Sequence, residues 1–194
     1  IIEFITYINK KMISLDSEIQ LSKYETNSFL LKPEQESLSL IQYAAFFGSM
    51  QIFQYLQING AQLKSSIWPF IIHSNNPDLI HLIENNHIQP MNSKGVVSYK
   101  EIYEESIKCH HNSIANYIQN NFISDSAEID LVKSFKYYNF AFIRLEDITQ
   151  ISFVNFCHYG YYLIAANMMK NDDLDVNQPE IVLKSLDKFK LGGT

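Results

Sequence analysis

Two short runs set a thiol beside imidazoles: Cys109-His110-His111 and Cys157-His158. Cysteine and histidine ligate zinc, and together they can act as nucleophile and base, so these runs pose the first chemical question. The elements that carry them argue against a shared site. Cys109 falls at the end of one predicted helix and Cys157 inside another, two helix pairs further on, so about two packing distances of 8–10 Å separate them. A zinc ion with ligands near 2 Å does not bridge that span. No catalytic residue, metal or cofactor is expected, and both cysteines read as free thiols of a reducing compartment.

The other titratable groups read the same way. His73, His81 and His87 occupy unlike positions of one repeat and are expected on the surface or in inter-helix hydrogen bonds. Glu104-Glu105 and Asp172-Asp173 are adjacent pairs, which on a helix do not face each other, and they read as solvated charge. No glycine-rich phosphate loop, serine elbow or metalloprotease helix motif occurs.

Composition narrows the class further. The chain has 194 residues, 46% of them apolar and only 19% charged, enough to bury a core as one folded unit. Six Gly and five Pro leave little material for tight β-turns, while 13 Phe and 12 Tyr favour packed helices. A formal charge of -6 is unsuited to neutralising phosphates or adhering to anionic lipid, so neither nucleic acid nor membrane insertion is expected. No apolar run is long enough to span a bilayer, and the opening Ile1-Ile2-Glu3-Phe4 lacks the features of a signal peptide. A cytoplasmic or otherwise intracellular protein is expected; a chain that does not begin with Met suggests a mature product or a fragment of something longer.

The elements emerge from self-similarity. Leu40 to Gly48 reads as a helix with small residues on one face, followed by a turn, a second helix through Ile52-Phe53-Gln54-Tyr55-Leu56, and a stop at Asn59-Gly60-Ala61. The grammar returns at 70–76 with 79–88, and at 106–111 with 114–123, where Ile83-Glu84-Asn85-Asn86 and Ile118-Gln119-Asn120-Asn121 nearly match. A fourth copy runs 134–139 with 142–145, and a fifth from Phe156 to Asn177. Subtracting the numbers of the equivalent residues Ala44, Ile71, Ser106, Ser134 and Phe156 gives spacings of 27, 35, 28 and 22. The longest interval holds Pro90-Met91-Asn92-Ser93-Lys94-Gly95, predicted to be the one extended finger. Helices this short are unstable alone, so each pair depends on its neighbours. The spacing predicts an N-terminal helical capping region over 1–36, about five degenerate repeats over 37–177, and a closing helix or truncated repeat over 178–194.

The segment from Ser37 to Leu63 resembles an ankyrin repeat: Ser39-Leu40-Ile41-Gln42, Ala44-Ala45, Gly48-Ser49, Ile52-Phe53, Tyr55-Leu56 and Asn59-Gly60-Ala61 occupy the pattern's places. The Gly160 copy, ending Asp175-Val176-Asn177, is the next best match. Leu31 to Ser37, Ile67-Trp68-Pro69 and the paired Asn endings are similar to the divergent ankyrin-like proteins, with a domain of unknown function, abundant in some flagellate protists. The resemblance covers about residues 30–177. It departs from the pattern in that no copy keeps the threonine-proline-leucine-histidine tetrad and only two keep the inter-helix glycine. Ser39 and Ser66 are expected to cap first helices in place of the missing threonine, Gly60 to end a helix with positive φ, and Asn86 and Asn121 to take the left-handed position.

The fold class this predicts is all-α, an α-solenoid of stacked degenerate ankyrin-type helix-turn-helix repeats. What the resemblance implies about function is a non-enzymatic module that presents a surface to a protein partner. The alternatives are a structural spacer in a larger repeat protein and, from another class, a Cys/His enzyme. Candidate partner-binding residues are Met91, Asn92 and Lys94 on the finger, Tyr138 and Tyr161 in an aromatic group beside the later turns, and Trp68. The lone tryptophan suits an interface anchor or, in the reading favoured here, packing between repeats.

Overall fold

A computed structural model describes residues 1–31, 38–92, 94–123, 131–143 and 150–170. The chain divides into two compact units, Ile1–Asp125 and Ser126–Thr194. The described residues are mostly helical, with ten α-helices and one two-stranded ribbon. The boundary expected at 33–37, the close of the fifth repeat at 173–177 and the helix expected in 178–194 lie outside them.

The first unit opens with α1 (Ile2–Lys11), whose apolar residues follow helical spacing and which stops where Met12 turns left-handed at φ 51°. Phe4 meets Tyr55 edge-on at 6.3 Å, fastening α1 to the helices that follow. A short antiparallel ribbon then pairs β1 (Glu18–Ile19) with β2 (Leu38–Ser39), which the sequence reading does not foresee. Its cause is local. Ser39 caps the next helix from an extended conformation, ψ 159°, and the backbone leading into such a cap is already strand-like.

Three helix pairs follow: α2 (Leu40–Phe46) with α3 (Met50–Ile58), α4 (Trp68–Ser74) with α5 (Pro77–Asn85), and α6 (Tyr99–Lys108) with α7 (Asn112–Phe122). The first helices pack in order, α2 on α4 and α4 on α6. Ala44 and Ala45 of α2 are buried and small, which permits the close approach to α4. On α4, Phe70, Ile71 and Ile72 are buried to 3% exposure or less, and Phe53, Leu56, Leu79, Ile83 and Ile118 are fully enclosed. Each such side chain contributes about 1.5–3 kcal/mol by leaving water, which stabilises helices too short to persist alone.

The starts of these helices use different devices. Ser39 accepts the Gln42 amide, and Gln42 returns its carboxamide oxygen to the Ser39 amide at 3.0 Å, a reciprocal capping box. Ser66 departs from expectation. It lies inside a 3-10 turn, Ser65–Ile67, that leads into α4, and its hydroxyl accepts instead from Gln42 of the preceding pair at 3.3 Å. Pro69 within the first turn of α4 fits a position where no amide partner is needed.

Among the described residues, the turn after a first helix repeats one geometry at five places. Gly48, Asn75, His110, Tyr138 and Gly160 all have positive φ, between 52° and 78°, and each stands four residues after one of the equivalent points Ala44, Ile71, Ser106, Ser134 and Phe156. In four of the five the amide of the next residue returns to that point's carbonyl: Ser49 to Ala44, His111 to Ser106, Asn139 to Ser134 and Tyr161 to Phe156, at 2.7–3.0 Å. In the remaining one the Ser74 hydroxyl donates to the Ile71 carbonyl at 2.6 Å. Loss of glycine in three copies therefore leaves the turn intact, with some steric strain in the non-glycine residues.

Second helices also close alike. Asn59, Asn86 and Asn121 each donate a carboxamide N–H to the carbonyl four residues back, on Tyr55, Leu82 and Tyr117, at 2.7–2.8 Å. This corrects the role expected of the asparagines. Asn86 stays right-handed at φ -86° and Asn121 lies inside α7, while the left-handed residues are Gly60 at φ 95° and His87 at φ 57°. At Tyr55 and Leu82 the carboxamide is a second donor to a carbonyl that already accepts the asparagine's own backbone N–H, an arrangement that needs no left-handed backbone at the asparagine.

In the second unit, α8 (Leu131–Lys136) is followed by a 3-10 turn, Phe140–Phe142, where the sequence reading places the start of a helix. The Asn139 side chain caps the start of the turn by accepting from the Ala141 amide, and the turn ends after one cycle where Ile143 becomes extended. Helices α9 (Gln150–His158) and α10 (Tyr162–Met168) form the next pair. Phe135, Phe156 and Ala165 make the core, with Ile143, Phe153, Tyr159 and Tyr161 packed around it.

Candidate functional site

In the first unit, the segments entering each first helix and those helices themselves line an open groove of about 850 Å³. Phe29, Ile41, Phe70 and Ile102 give it apolar surface, and polar groups come from Asp16, Glu18, Gln42, Lys64, Ser66, Ser98, Glu101 and Glu105. Four carboxylates and one ammonium line it, and with Glu105 paired to Lys108 the acidic excess is carried by Asp16, Glu18 and Glu101 against Lys64. An open trough with alternating apolar and polar wall suits an extended chain rather than a small ligand enclosed on all sides.

Beside the groove, α4 and α6 bring three different donor groups together. His73 Nε2 lies 2.7 Å from Glu105 Oε1, and Lys108 Nζ, one turn further along α6, donates to the same oxygen at 2.7 Å. Cys109 Sγ sits 3.6 Å from both ring nitrogens of His73. The imidazole is held from behind by Phe29, ring centres 3.9 Å apart and 31° from parallel, and by Phe46 at 5.4 Å. Burial by itself would raise the Glu105 carboxyl, but hydrogen bonds from His73 and Lys108, with their charges, outweigh it and hold the group at about 2. Glu105, expected as solvated charge, is instead only 18% exposed and ion-paired. Its neighbour in sequence gives no sign of this, because a partner on another helix pair decides it.

This arrangement favours ligation over nucleophilic attack. A thiol equidistant from both ring nitrogens is not aligned on either lone pair, as proton transfer to a general base requires. The neighbouring His111 is engaged elsewhere, its Nδ1 2.7 Å from the Ile72 carbonyl. His81 lies 3.2 Å from Glu84, which also accepts the Tyr117 hydroxyl at 3.0 Å, and His87 is exposed at the end of α5.

The residues expected at an interface separate. Trp68 has no exposed surface and donates its indole N–H to the Ile88 carbonyl at 2.9 Å, so its role is packing and the interface-anchor reading is corrected. Complete burial leaves it no face for a partner. Met91, 53% exposed, lines the groove and pairs with Val97 in an isolated bridge across the finger. Asn92 spends its side-chain oxygen on the finger's own amides, those of Lys94 and Val96, both at 3.0 Å. Lys94 is exposed on the finger. In the second unit, Tyr138 is 60% exposed and meets Tyr161 edge-on at 5.4 Å, while the Tyr161 hydroxyl donates to the Phe135 carbonyl at 2.9 Å. Cys157 is exposed on α9.

The sequence reading misses His73, Glu101, Glu105 and the acidic pair Asp16 and Glu18 as groove or cluster residues. The available signal is a pair of carboxylates one turn apart on one helix, Glu101 and Glu105 on α6. Compared with protein-family profiles, with curated proteins and with solved structures, the chain matches none of them.

Proposed function

We propose that this chain is a non-enzymatic protein-interaction module of divergent ankyrin type, which holds an extended, cationic segment of a partner protein in the groove of its first unit. The observation that carries the reading is the groove itself. The first helices of three successive pairs and the segments entering them line one open trough, and its charged lining is Asp16, Glu18, Glu101 and Glu105, the last paired to Lys108, against Lys64. The ankyrin-type assignment is supported by the recurrent left-handed turn and by first helices that pack in order. Acidic walls speed the encounter with a basic segment and disfavour an acidic one, while the apolar residues between them supply contact area.

The test is fluorescence anisotropy with a labelled lysine-serine repeat peptide and its glutamate-serine counterpart at low and moderate salt. Binding of the basic peptide only, weakened on the order of tenfold by Glu101→Lys, supports the proposal. Equal binding of both peptides, or of neither, overturns it and leaves a structural spacer as the better reading.

A further inference from the structure

We infer that His73, Glu105 and Cys109 form a binding site for a zinc-type divalent cation, with one imidazole nitrogen, one carboxylate oxygen and one thiolate as protein ligands. The candidate ligand atoms already lie within 4.8 Å of one another. A tetrahedral zinc with Zn–N near 2.0–2.1 Å and Zn–S near 2.3 Å places nitrogen and sulfur about 3.6 Å apart, and Cys109 Sγ stands 3.6 Å from His73 Nε2. Nitrogen and carboxylate oxygen would stand about 3.3 Å apart around the same ion, against 2.7 Å in the hydrogen bond now joining them. Sγ is equally far from both ring nitrogens and so stands off the Nε2 lone pair, and Sγ and the carboxylate lie within 4.8 Å. An ion on Nε2 therefore requires the Cys109 and Glu105 side chains to turn toward it by about 1–2 Å.

The surroundings favour that adjustment. Phe29 and Phe46 fix the plane of the imidazole, so a ligand nitrogen is positioned before any ion arrives. Lys108 is the group displaced from Glu105: its ammonium is 27% exposed and has solvent within reach. Sulfur, nitrogen and oxygen donors in one set suit a borderline-soft ion, and a single thiolate disfavours magnesium or calcium, which prefer oxygen alone. Charge and protons balance as follows. The Cys109 thiol gives one proton to solvent, His73 coordinates through Nε2 with its ring proton on Nδ1, and the ion's two positive charges meet one thiolate and one carboxylate. Three protein ligands leave a fourth position for water, so an affinity on the order of micromolar is expected.

The experiment takes the whole chain, freed of metal with a chelator, and adds zinc chloride. Alkylation of each cysteine is read by peptide mass spectrometry, with Cys157 as internal reference. Protection of Cys109 but not Cys157 by one equivalent of zinc, reversed by chelator, is the expected result in the unaltered protein, so it does not depend on any variant folding. Cobalt(II) in place of zinc should give a thiolate charge-transfer band that Cys109→Ser abolishes and Cys157→Ser leaves unchanged. His73→Gln and Glu105→Gln should each weaken zinc binding by at least about tenfold in calorimetry. Equal alkylation of the two cysteines with and without zinc, or cobalt absorption that follows Cys157, overturns the inference. Neither result bears on peptide binding in the groove, which is measured separately.

Discussion

Trp68 donates its indole N–H to the carbonyl of Ile88, 2.9 Å away and 20 residues later in the chain, tying the entry to α4 to the residue that follows α5. The ring is fully enclosed and meets Tyr99 edge-on at 5.9 Å, so one side chain joins the second helix pair to the third. Trp68→Phe keeps most of the apolar volume but leaves the Ile88 carbonyl without its donor, which costs about 1–3 kcal/mol. Trp68→Ala also opens a cavity and costs about 3–5 kcal/mol. Urea unfolding followed by far-UV circular dichroism measures both, and equal stability of the phenylalanine variant and the unaltered chain contradicts the hydrogen-bond argument.

His87 ends α5 at φ 57°, with the Ile88 amide returning to the Ile83 carbonyl at 3.2 Å. A β-carbon in that conformation is strained, and glycine relieves it at some cost in chain entropy. His87→Gly is expected to stabilise the fold by about 0.5–1 kcal/mol, read as a rise in thermal midpoint. A fall would mean that the histidine side chain itself contributes.

The capping box at Ser39 and Gln42 offers a change in the opposite direction. Ser39→Ala removes the hydroxyl that accepts the Gln42 amide and should cost about 1 kcal/mol, whereas Ser39→Asp should retain most of the stability. Chemical denaturation of the two variants separates loss of the cap from loss of the short ribbon, since both substitutions leave the backbone pairing with Glu18 possible.

Alkaline pH acts on Tyr103, which is 3% exposed and whose phenol burial holds above the ordinary 10.0. Below pH 10 the phenol is protonated in both folded and unfolded chains and exerts no bias. As pH rises past that point the unfolded chain releases its proton first, so stability present below the unfolded value is lost as pH climbs through the folded one. Tyr103→Phe should show a shallower decline above pH 10 than the unaltered chain, measured by urea midpoints at several pH values; identical slopes would assign the effect to other tyrosines.

Much of the local architecture is legible in the sequence because its causes are local. Apolar surroundings mark Ala44, Ile71, Ser106, Ser134 and Phe156 as equivalent, and each stands four residues before a left-handed residue. Periodic apolar residues, a serine followed three places on by glutamine, and a glycine after Asn59 act within one or two turns of chain, so their spacing suffices. The left-handed conformation is less legible at Tyr138, a residue type that rarely adopts it, than at Asn75 and His110, which tolerate it more readily.

Tertiary structure alone decided the partners. His73 meets Glu105 and Cys109 because α4 packs against α6, across 32 and 36 positions of chain, and nothing near His73 in sequence marks that meeting. The same packing turned Glu105 from an expected surface charge into a paired one and enclosed Trp68 completely. Chain order and helical period determined which segments form helices; the burial of one helix against the next determined which side chains share a site, because that depends on distance in space rather than on separation along the chain.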